Sequence, residues 1–295
     1  MSVIYLSLCI PTNGISKWVL PVLESIYMQN TNQKEFEVVL VDNGNSEDLN
    51  ETKLEKFISH DNFHYIKSES KGFMNQVFAF SKCKGKLIKF VNHRFIMANG
   101  SVEFLINFSK KWSKIKPFIY FNNNGKREEQ MYNNSNDFFK ELGISSSWSG
   151  GVAFWNEDNP FKNCSINETF PHFALFETKK SQYIINNEKI FEREIDPSAI
   201  NKGKYNVFEA FALEYMVLNL NLLKKGLITL KVFKHIKKDT SRFISKLYLD
   251  FVILKKPCSY LMDNYKDWIQ IFFNFFAIKL RSFMLLFYFL LRGRL

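Results

Sequence analysis

The segments VIYLSLCIPTNG (residues 3–14) and FEVVLVDNGNS (residues 36–46) decide the fold of this chain. Each begins as an apolar run and ends in proline, asparagine, aspartate or glycine, which predicts a buried strand followed by a loop. Between them, residues 16–30 carry apolar side chains at helical spacing. Strand, helix and strand in this order are typical of an α/β domain with a mostly parallel sheet.

The same alternation continues along the chain and then becomes less regular. The segment GKLIKFVNHR (residues 85–94) predicts another buried strand that ends at polar residues, and NNNGKREEQMYNNSND (residues 122–137) predicts a polar loop. In parallel α/β sheets, ligands bind at the carboxyl ends of the strands. The other predicted elements are helices over 51–59, 73–83, 101–112, 172–181 and 205–224, and strands over 63–67, 117–121, 148–155 and 182–186.

The charge of the chain is concentrated in its C-terminal part. The 295 residues include 40 Lys and Arg and 29 Asp and Glu, which gives a net charge of +11. Residues 224–295 hold 15 of these cations and four of the acids, so residues 1–223 are neutral with 25 of each. Because a nucleic-acid enzyme carries basic residues around its site, this distribution argues against a nucleic-acid partner. An apolar content of 46% excludes polar disorder.

The cysteines and the first residues predict a reducing environment. Cys9, Cys83, Cys164 and Cys258 are far apart and contain no C-x-x-C pair, so neither a zinc knuckle nor a disulfide framework is indicated. We expect reduced thiols, mostly in the core. The first residues lack the basic start of a signal peptide, which predicts a cytoplasmic protein.

Residues 268–291, WIQIFFNFFAIKLRSFMLLFYFLL, form the densest aromatic run. The pattern predicts one helix that is apolar on most of its surface, with a thin polar stripe. Polar interruptions argue against a membrane span and favour the membrane interface, where Lys279 and Arg281 reach toward lipid phosphates. We therefore expect a peripheral protein on the inner face of the cell membrane, with an anionic membrane surface as partner. The alternative is a helix packed on the domain.

Three segments of the chain are informative when they are taken together. They are LSLCIPTNG (6–14), VVLVDNGNS (38–46), and KGFMN (71–75) with the strand GKLIKFVNHR (85–94) behind it. In this order and at these spacings they resemble the nucleotide-sugar half of a family 2 glycosyltransferase with the GT-A fold. The resemblance covers residues 3–110 well and fades afterwards.

The resemblance implies an α/β chain with the GT-A-like nucleotide-diphosphosugar transferase fold. In this fold, helices flank a mostly parallel central sheet, and here a C-terminal helical extension follows. We expect residues 1–203 to form the glycosyltransferase domain. Residues 204–295 would form a helical, basic, membrane-associating region.

The end of the second strand is the expected binding site of the donor base. A carboxylate at Asp42 is placed to accept the imide N–H of uracil or thymine, which favours a UDP or dTDP sugar. The alternative is a turn-forming aspartate that caps the following segment. The resemblance assigns nucleotide-sugar binding to Pro11, Thr12, Asn13, Asp42, Asn43, Gly44, Lys71, Gly72, Asn75, Asn92 and His93.

The chain departs from the family pattern at the end of the fourth predicted strand. The family usually has Asp-x-Asp there, which holds Mg²⁺ or Mn²⁺ on the donor diphosphate, whereas this chain has Asn92, His93 and Arg94. We expect no metal ligands and no cofactor, although the substitution does not by itself exclude a divalent cation. Arg94 would then stabilise the leaving diphosphate in place of the metal. The alternative is a site that has lost activity or changed its donor.

An inverting transfer also needs a base that takes the proton of the acceptor hydroxyl. By register with the family, His172 falls near the catalytic aspartate and Glu168 falls in a phrase resembling F-D-E. His172 packing at a helix start is equally compatible with the sequence. Asp158 is the reserve candidate, in a stretch that also resembles a turn.

The resemblance implies a glycosyltransferase with a nucleotide-sugar donor and a glycan or lipid-linked acceptor, such as a growing bacterial surface polysaccharide. Two other functions stay open at this stage. One is an inactive scaffold subunit of the same fold at the membrane. The other is a transferase of the same fold that moves another group from a nucleotide donor.

Overall fold

The computed structural model describes residues 3–125, 128–158, 160–162 and 166–292, so Cys164 lies outside the described residues. The chain forms two compact units. Unit 1 comprises Met1–Phe138 and Trp148–Asp196, and unit 2 comprises Phe139–Ser147 and Pro197–Leu295. This division differs from the expected boundary at residue 203, because it falls earlier and gives residues 139–147 to the second unit.

A sheet forms the centre of unit 1. Within the described residues its eight strands are β1 (Leu6–Thr12), β2 (Phe36–Asp42), β3 (Phe63–Lys67), β4 (Leu87–Phe90), β6 (Phe118–Phe121), β7 (Glu129–Tyr132), β8 (Val152–Trp155) and β9 (Tyr183–Asn186). Their order across the sheet is β3-β2-β1-β4-β8-β6-β9-β7. Strands β7 and β8 run against the other six, so the sheet is mostly parallel. The fold predicted from the sequence is confirmed.

Helices cover the sheet, and a short ribbon lies beside it. The ribbon pairs β5 (Phe95–Met97) with β10 (Phe191–Glu194) in antiparallel orientation. Apolar side chains of β1 and β2 are buried against those of the first helix, which explains why their apolar runs become central strands. The helices assigned wholly or partly to unit 1 are α1 (Ser16–Tyr27), α2 (Glu51–Ile58), α3 (Asn75–Lys82), α4 (Ser101–Trp112), α5 (Ser135–Leu142) and α6 (Phe173–Phe176).

Two predictions for this part of the chain were wrong. The expected loop over 122–137 contains β7 and the start of α5, because an edge strand needs backbone partners, here those of β9, more than apolar side chains. The helix expected over 172–181 is only the single turn of α6. It ends early because the chain next enters β9, where parallel pairing with β6 outweighs local helical preference.

Unit 2 is helical in its described residues. It contains α7 (Tyr215–Lys224), α8 (Leu230–Leu247), α9 (Tyr265–Phe272) and α10 (Phe275–Leu291), with wider π-helical turns over Glu209–Glu214 and Tyr248–Ile253. The single helix expected over 268–291 was wrong, because α9 and α10 are bent by 107°. The break occurs where the Asn274 side chain accepts a hydrogen bond from the backbone N–H of Ala277 and so starts a new helix. None of the described helices is by itself long and apolar enough to cross a membrane, although the bent pair passes that test jointly.

Candidate functional site

The carboxyl ends of β1, β2 and β4 meet at one edge of the sheet, which we call the carboxyl edge. Thr12 is the register partner of Asp42, and β4 pairs beside β1 up to Phe90. The turns that follow these strands therefore lie next to one another, as the parallel sheet requires. The residues predicted to bind the donor from the segments 6–14, 38–46 and 71–75 come together here.

Two asparagines connect the turns of the carboxyl edge. The Asn75 Nδ2 group donates to the backbone carbonyls of Thr12 (3.2 Å) and Val41 (2.9 Å). The Asn43 Nδ2 group donates to the carbonyls of Ser70 (2.8 Å) and Gly72 (3.2 Å). Asn75 and Asn43 therefore hold the turns in place. Lys71, which precedes Gly72, is exposed.

Asp42 is at the centre of this network and is 0% exposed. Its Oδ1 atom accepts from the backbone N–H of Gly44 at 2.8 Å, which is the local turn contact that was the alternative reading of this residue. Its Oδ2 atom accepts from the Tyr65 hydroxyl at 3.1 Å and from the Lys67 Nζ at 2.5 Å. A nucleotide base that binds Asp42 would therefore share the carboxylate with Lys67, whose side chain is 52% exposed.

The contact with Asp42 also changes the acidity of Lys67. Partial burial alone would lower the pKa of Lys67, but hydrogen bonds to Asp42 and Tyr65 outweigh it, and the pKa lies above its ordinary value. Lys67 is therefore an ammonium at neutral pH. No motif in the sequence points to Lys67 or Tyr65, because they belong to β3 and reach Asp42 only through strand pairing.

Two glycines allow the backbone to pass close to Asp42. Gly14 has φ +77°, and a Cβ atom there would lie 2.7 Å from Asp42 Oδ1. A Cβ atom on Gly44 would lie 2.1 Å from the carbonyl oxygen of Asn13. A larger residue at Gly44 would displace the backbone of Asn13, and one at Gly14 would collide with the Asp42 carboxylate in a backbone conformation that favours glycine.

The segment Asn92-His93-Arg94, which replaces Asp-x-Asp, packs against Trp18 of α1. The His93 ring stacks on Trp18 with centroids 5.6 Å apart, and the Arg94 guanidinium lies 4.4 Å from the Trp18 ring centroid. The Asn92 Oδ1 atom accepts from the backbone N–H of Arg94 at 3.0 Å. Burial, and then the charge of Arg94, lower the pKa of His93 to about 4, so the ring is neutral at pH 7.

Arg94 is 4% exposed and is held by the ribbon. Its Nη2 atom donates to the backbone carbonyl of Asp196 and lies 3.6 Å from the Asp196 carboxylate, while Nε lies 3.8 Å from Glu194 Oε1. These two acids are about a hundred residues away in the sequence, and no motif pointed to them. The guanidinium lies near two carboxylates, at distances longer than those of direct hydrogen bonds.

Lys89 is a second buried cation that no sequence motif indicates. It is 0% exposed in β4, and its Nζ donates to the carbonyls of Phe90 (2.8 Å) and Gly150. The rings of Phe121 and Phe191 lie 5.6 and 5.2 Å from the same atom. Burial lowers the pKa of Lys89 well below its ordinary value. Lys89 therefore fastens the turn before β8 to the end of β4.

The two candidate catalytic bases, His172 and Glu168, have different surroundings. His172 is 2% exposed and meets the rings of Phe170, Phe173 and Phe176 edge-on. Glu168 is exposed, in a turn where Asn167 Oδ1 accepts hydrogen bonds from the backbone N–H groups of Thr169 and Phe170.

The reserve base Asp158 is not at the carboxyl edge. It follows β8, which runs against β4, so it lies at the opposite edge of the sheet. There it forms an ion pair with Lys180 at 2.6 Å. Asp158 therefore has no place in a site at the carboxyl edge.

The residues at the Asp-x-Asp position do not fit a divalent cation. They are an amide, a neutral imidazole and a guanidinium, and the guanidinium lies beside the carboxylates of Glu194 and Asp196. Across the described parts of the chain, no group of three or more His, Cys, Asp or Glu side chains is arranged to hold a metal ion.

The fold and the turns at its carboxyl edge define the GT-A class of glycosyltransferases. A family model described as glycosyl transferase family 2 matches residues 7–173, more than half of the chain, and the chain therefore belongs to this family. No curated protein matches the sequence.

Solved structures support the same fold at low sequence identity. The structure of S. aureus TarS 1–349 with UDP is 14% identical with a TM-score of 0.58, and covers 83% of this chain and 72% of its own. The same protein with UDP-GlcNAc is 13% identical with a TM-score of 0.56, at 83% and 73% coverage. The mannosyltransferase PcManGT from Pyrobaculum calidifontis, with GDP-Man and Mn²⁺, is 10% identical with a TM-score of 0.54, at 95% and 86% coverage.

Proposed function

We propose that this glycosyltransferase moves a sugar from a UDP or dTDP donor to a lipid-linked glycan or growing surface polysaccharide, with inversion and without a metal. The observation that carries the proposal is the meeting of three turns around Asp42 at the carboxyl edge. Supporting it, one structural neighbour binds UDP and UDP-GlcNAc and another binds GDP-Man.

The donor base is proposed to lie over the turns of Gly14 and Gly44, where its imide N–H donates to Asp42. Pro11, Thr12 and Asn13 would line one side of the base and Asn43 the other. Gly72 and Asn75 would face the ribose and the sugar phosphate, and the exposed Lys71 would contribute a positive charge to the phosphates.

The leaving diphosphate is proposed to be stabilised by Arg94, close to Asn92 and His93. Arg94 is 3.6 and 3.8 Å from its two carboxylates, so phosphate oxygens would have to replace one of these weak contacts. Stabilisation by a fixed guanidinium needs no metal.

The acceptor hydroxyl is proposed to lose its proton to Glu168 or His172 as its oxygen attacks the anomeric carbon and the diphosphate leaves. Glu168 is the better candidate of the two, because it is exposed, whereas His172 is enclosed by phenylalanine rings.

The acceptor is proposed to be bound to a membrane, because the surplus of cations lies between residues 224 and 295. A basic region is attracted to the anionic inner leaflet at ~1 kcal/mol per Lys or Arg near the surface. The enzyme would then act as a peripheral protein on the inner face of the cell membrane.

A thermal-shift screen of nucleoside diphosphates and nucleotide sugars, followed by mass spectrometry of the product, tests this function. We expect UDP or dTDP compounds to raise the Tm, and turnover to persist in EDTA. Activity that is lost in EDTA and restored by Mn²⁺ would contradict the metal-free mechanism. Absence of any nucleotide shift would contradict the donor site.

One observation favours a second candidate, an inactive scaffold of the same fold. Asp42 and Arg94 are both buried, Asp42 already accepts a hydrogen bond from Lys67, and Arg94 already donates one to the backbone carbonyl of Asp196. Nucleotide binding without any product in the presence of membrane extracts would support the scaffold over the enzyme.

A further inference from the structure

Helix α10 has an exposed face that is entirely apolar. Eight of its large apolar side chains are between 44% and 72% exposed, although the helix belongs to a compact unit. Five of them follow the spacing of a single helical stripe. These five are Phe276, Leu280, Phe283, Phe287 and Leu291.

The opposite face of α10 is fixed against α8. Ile278 and Ser282 are buried, and Ser282 Oγ donates to the backbone carbonyl of Ser245 at 2.8 Å. The Arg281 guanidinium donates to Ser241 Oγ at 2.6 Å. Because these contacts set the rotation of the helix, the apolar face is held outward by the structure of the unit itself.

Cations border this face, and α10 contains no acidic residue. Lys279 is exposed on one side of the stripe, and Arg281 lies on the other. On α8, Lys238 and Lys246 are exposed and lie close in sequence to the serines that contact α10. The face is thus complementary to a surface that is apolar inside and anionic outside.

We propose that the outward face of α10 inserts into the interface of an anionic lipid bilayer, with the helix parallel to the membrane plane. The inference rests on the membrane location given under the proposed function and assigns it to particular side chains. With one face packed on α8, only the other can enter the acyl region. Lys279, Lys238 and Lys246 would contact lipid phosphates.

Sedimentation of the full chain with vesicles tests the apolar part. The vesicles are phosphatidylcholine alone and an equal mixture with phosphatidylglycerol. Phe283→Ser/Phe287→Ser should weaken binding to both at least roughly tenfold, since each buried aromatic side chain contributes strongly. The matched control, Met28→Ser/Ile115→Ser, changes two exposed apolar residues of unit 1 and should bind like the unaltered chain.

A double substitution of two lysines tests the electrostatic contribution to membrane binding. Lys238→Gln/Lys246→Gln should weaken binding to the mixed vesicles by roughly tenfold or more, and affect pure phosphatidylcholine little. Lys34→Gln/Lys114→Gln removes two exposed cations from unit 1 and should leave both unchanged. Equal thermal unfolding of all variants shows that folding is retained.

Three results would overturn the inference. They are vesicle binding that survives the α10 substitutions, bound protein that resists alkaline carbonate as a spanning protein does, and a dimer that the α10 substitutions dissociate without vesicle binding. The nucleotide screen is independent of all three. A chain that shifts with UDP but ignores vesicles contradicts this inference and the proposed membrane location, and it leaves the proposed donor site standing. The reverse result contradicts only the proposed donor site.

Discussion

At the scale of single residues, the Asp42 carboxylate leaves room only for a glycine at position 14. Gly14 passes so close to it that a methyl group would lie 2.7 Å from Oδ1. The sequence showed a glycine after a strand, which is ordinary for a turn. The structure shows two reasons for a glycine at position 14. Its backbone has a positive φ, and a side chain there would collide with the Asp42 carboxylate.

Gly14→Ala and Gly100→Ala separate these two requirements. Both glycines have almost the same left-handed conformation, at φ +77° and +76°, but nothing lies within 4 Å of a Cβ atom on Gly100. Each substitution should cost about 1–2 kcal/mol of backbone strain. Gly14→Ala should cost about 1–3 kcal/mol more from overpacking and abolish the UDP thermal shift. Equal losses in denaturant titrations would contradict the close approach.

His93 predicts how the free energy of unfolding depends on pH. Its folded pKa of about 4 lies below the ordinary value of 6.5, so between these values the unfolded chain binds more protons. Stability therefore falls as pH is lowered from 6.5 to 4, by up to about 3 kcal/mol from this group. His93→Gln should make the decline shallower in urea titrations across this range. His60→Gln controls for the loss of a histidine elsewhere, and an unchanged slope for His93→Gln would exclude this effect.

At the scale of elements, the Arg94 side chain joins the β5–β10 ribbon to the carboxyl edge of the sheet. Arg94 follows β4, stacks on Trp18 of α1, and contacts Glu194 and Asp196 at the end of β10. The sequence predicted only that a positive charge had replaced the metal ligands. The structure shows that the partners of this charge are Glu194 and Asp196, which no pattern in the sequence links to Arg94.

Arg94→Met should destabilise the chain by about 2 kcal/mol, because it leaves two partly buried carboxylates beside an apolar side chain. Lys189→Met, just before β10, removes an exposed partner of Glu192 at 2.7 Å and should change stability by less than about 0.5 kcal/mol. Chemical denaturation of both variants gives the comparison. A loss of similar size in both would mean that Arg94 has no special structural role.

At the scale of the whole molecule, the charge distribution and the division into units suggest two separate tasks. The candidate donor residues belong to unit 1, and the basic helices with the exposed α10 face belong to unit 2. The division into domains at residue 203 stays a prediction, although the contacts of the chain define two units with a boundary nearby.

Calorimetry of the full chain tests whether these units respond separately. A nucleotide at a hundred times its Kd stabilises the part that binds it by about 2.7 kcal/mol. We expect UDP to raise the transition of unit 1, and anionic vesicles to raise that of unit 2. A single transition that both ligands move equally would contradict the separate response.

The amino-acid pattern alone predicted an α/β fold with a mostly parallel sheet and the sheet edge where ligands would bind, because apolar runs, helical spacing and turn residues act over a few neighbours in the chain. The family was predicted from the resemblance of three segments. The tertiary structure decided the rest: that Lys67 binds Asp42, that Arg94 contacts Glu194 and Asp196, and that the last apolar run bends at Asn274. These contacts join residues distant in the chain, or depend on packing, and a local pattern carries no information about them.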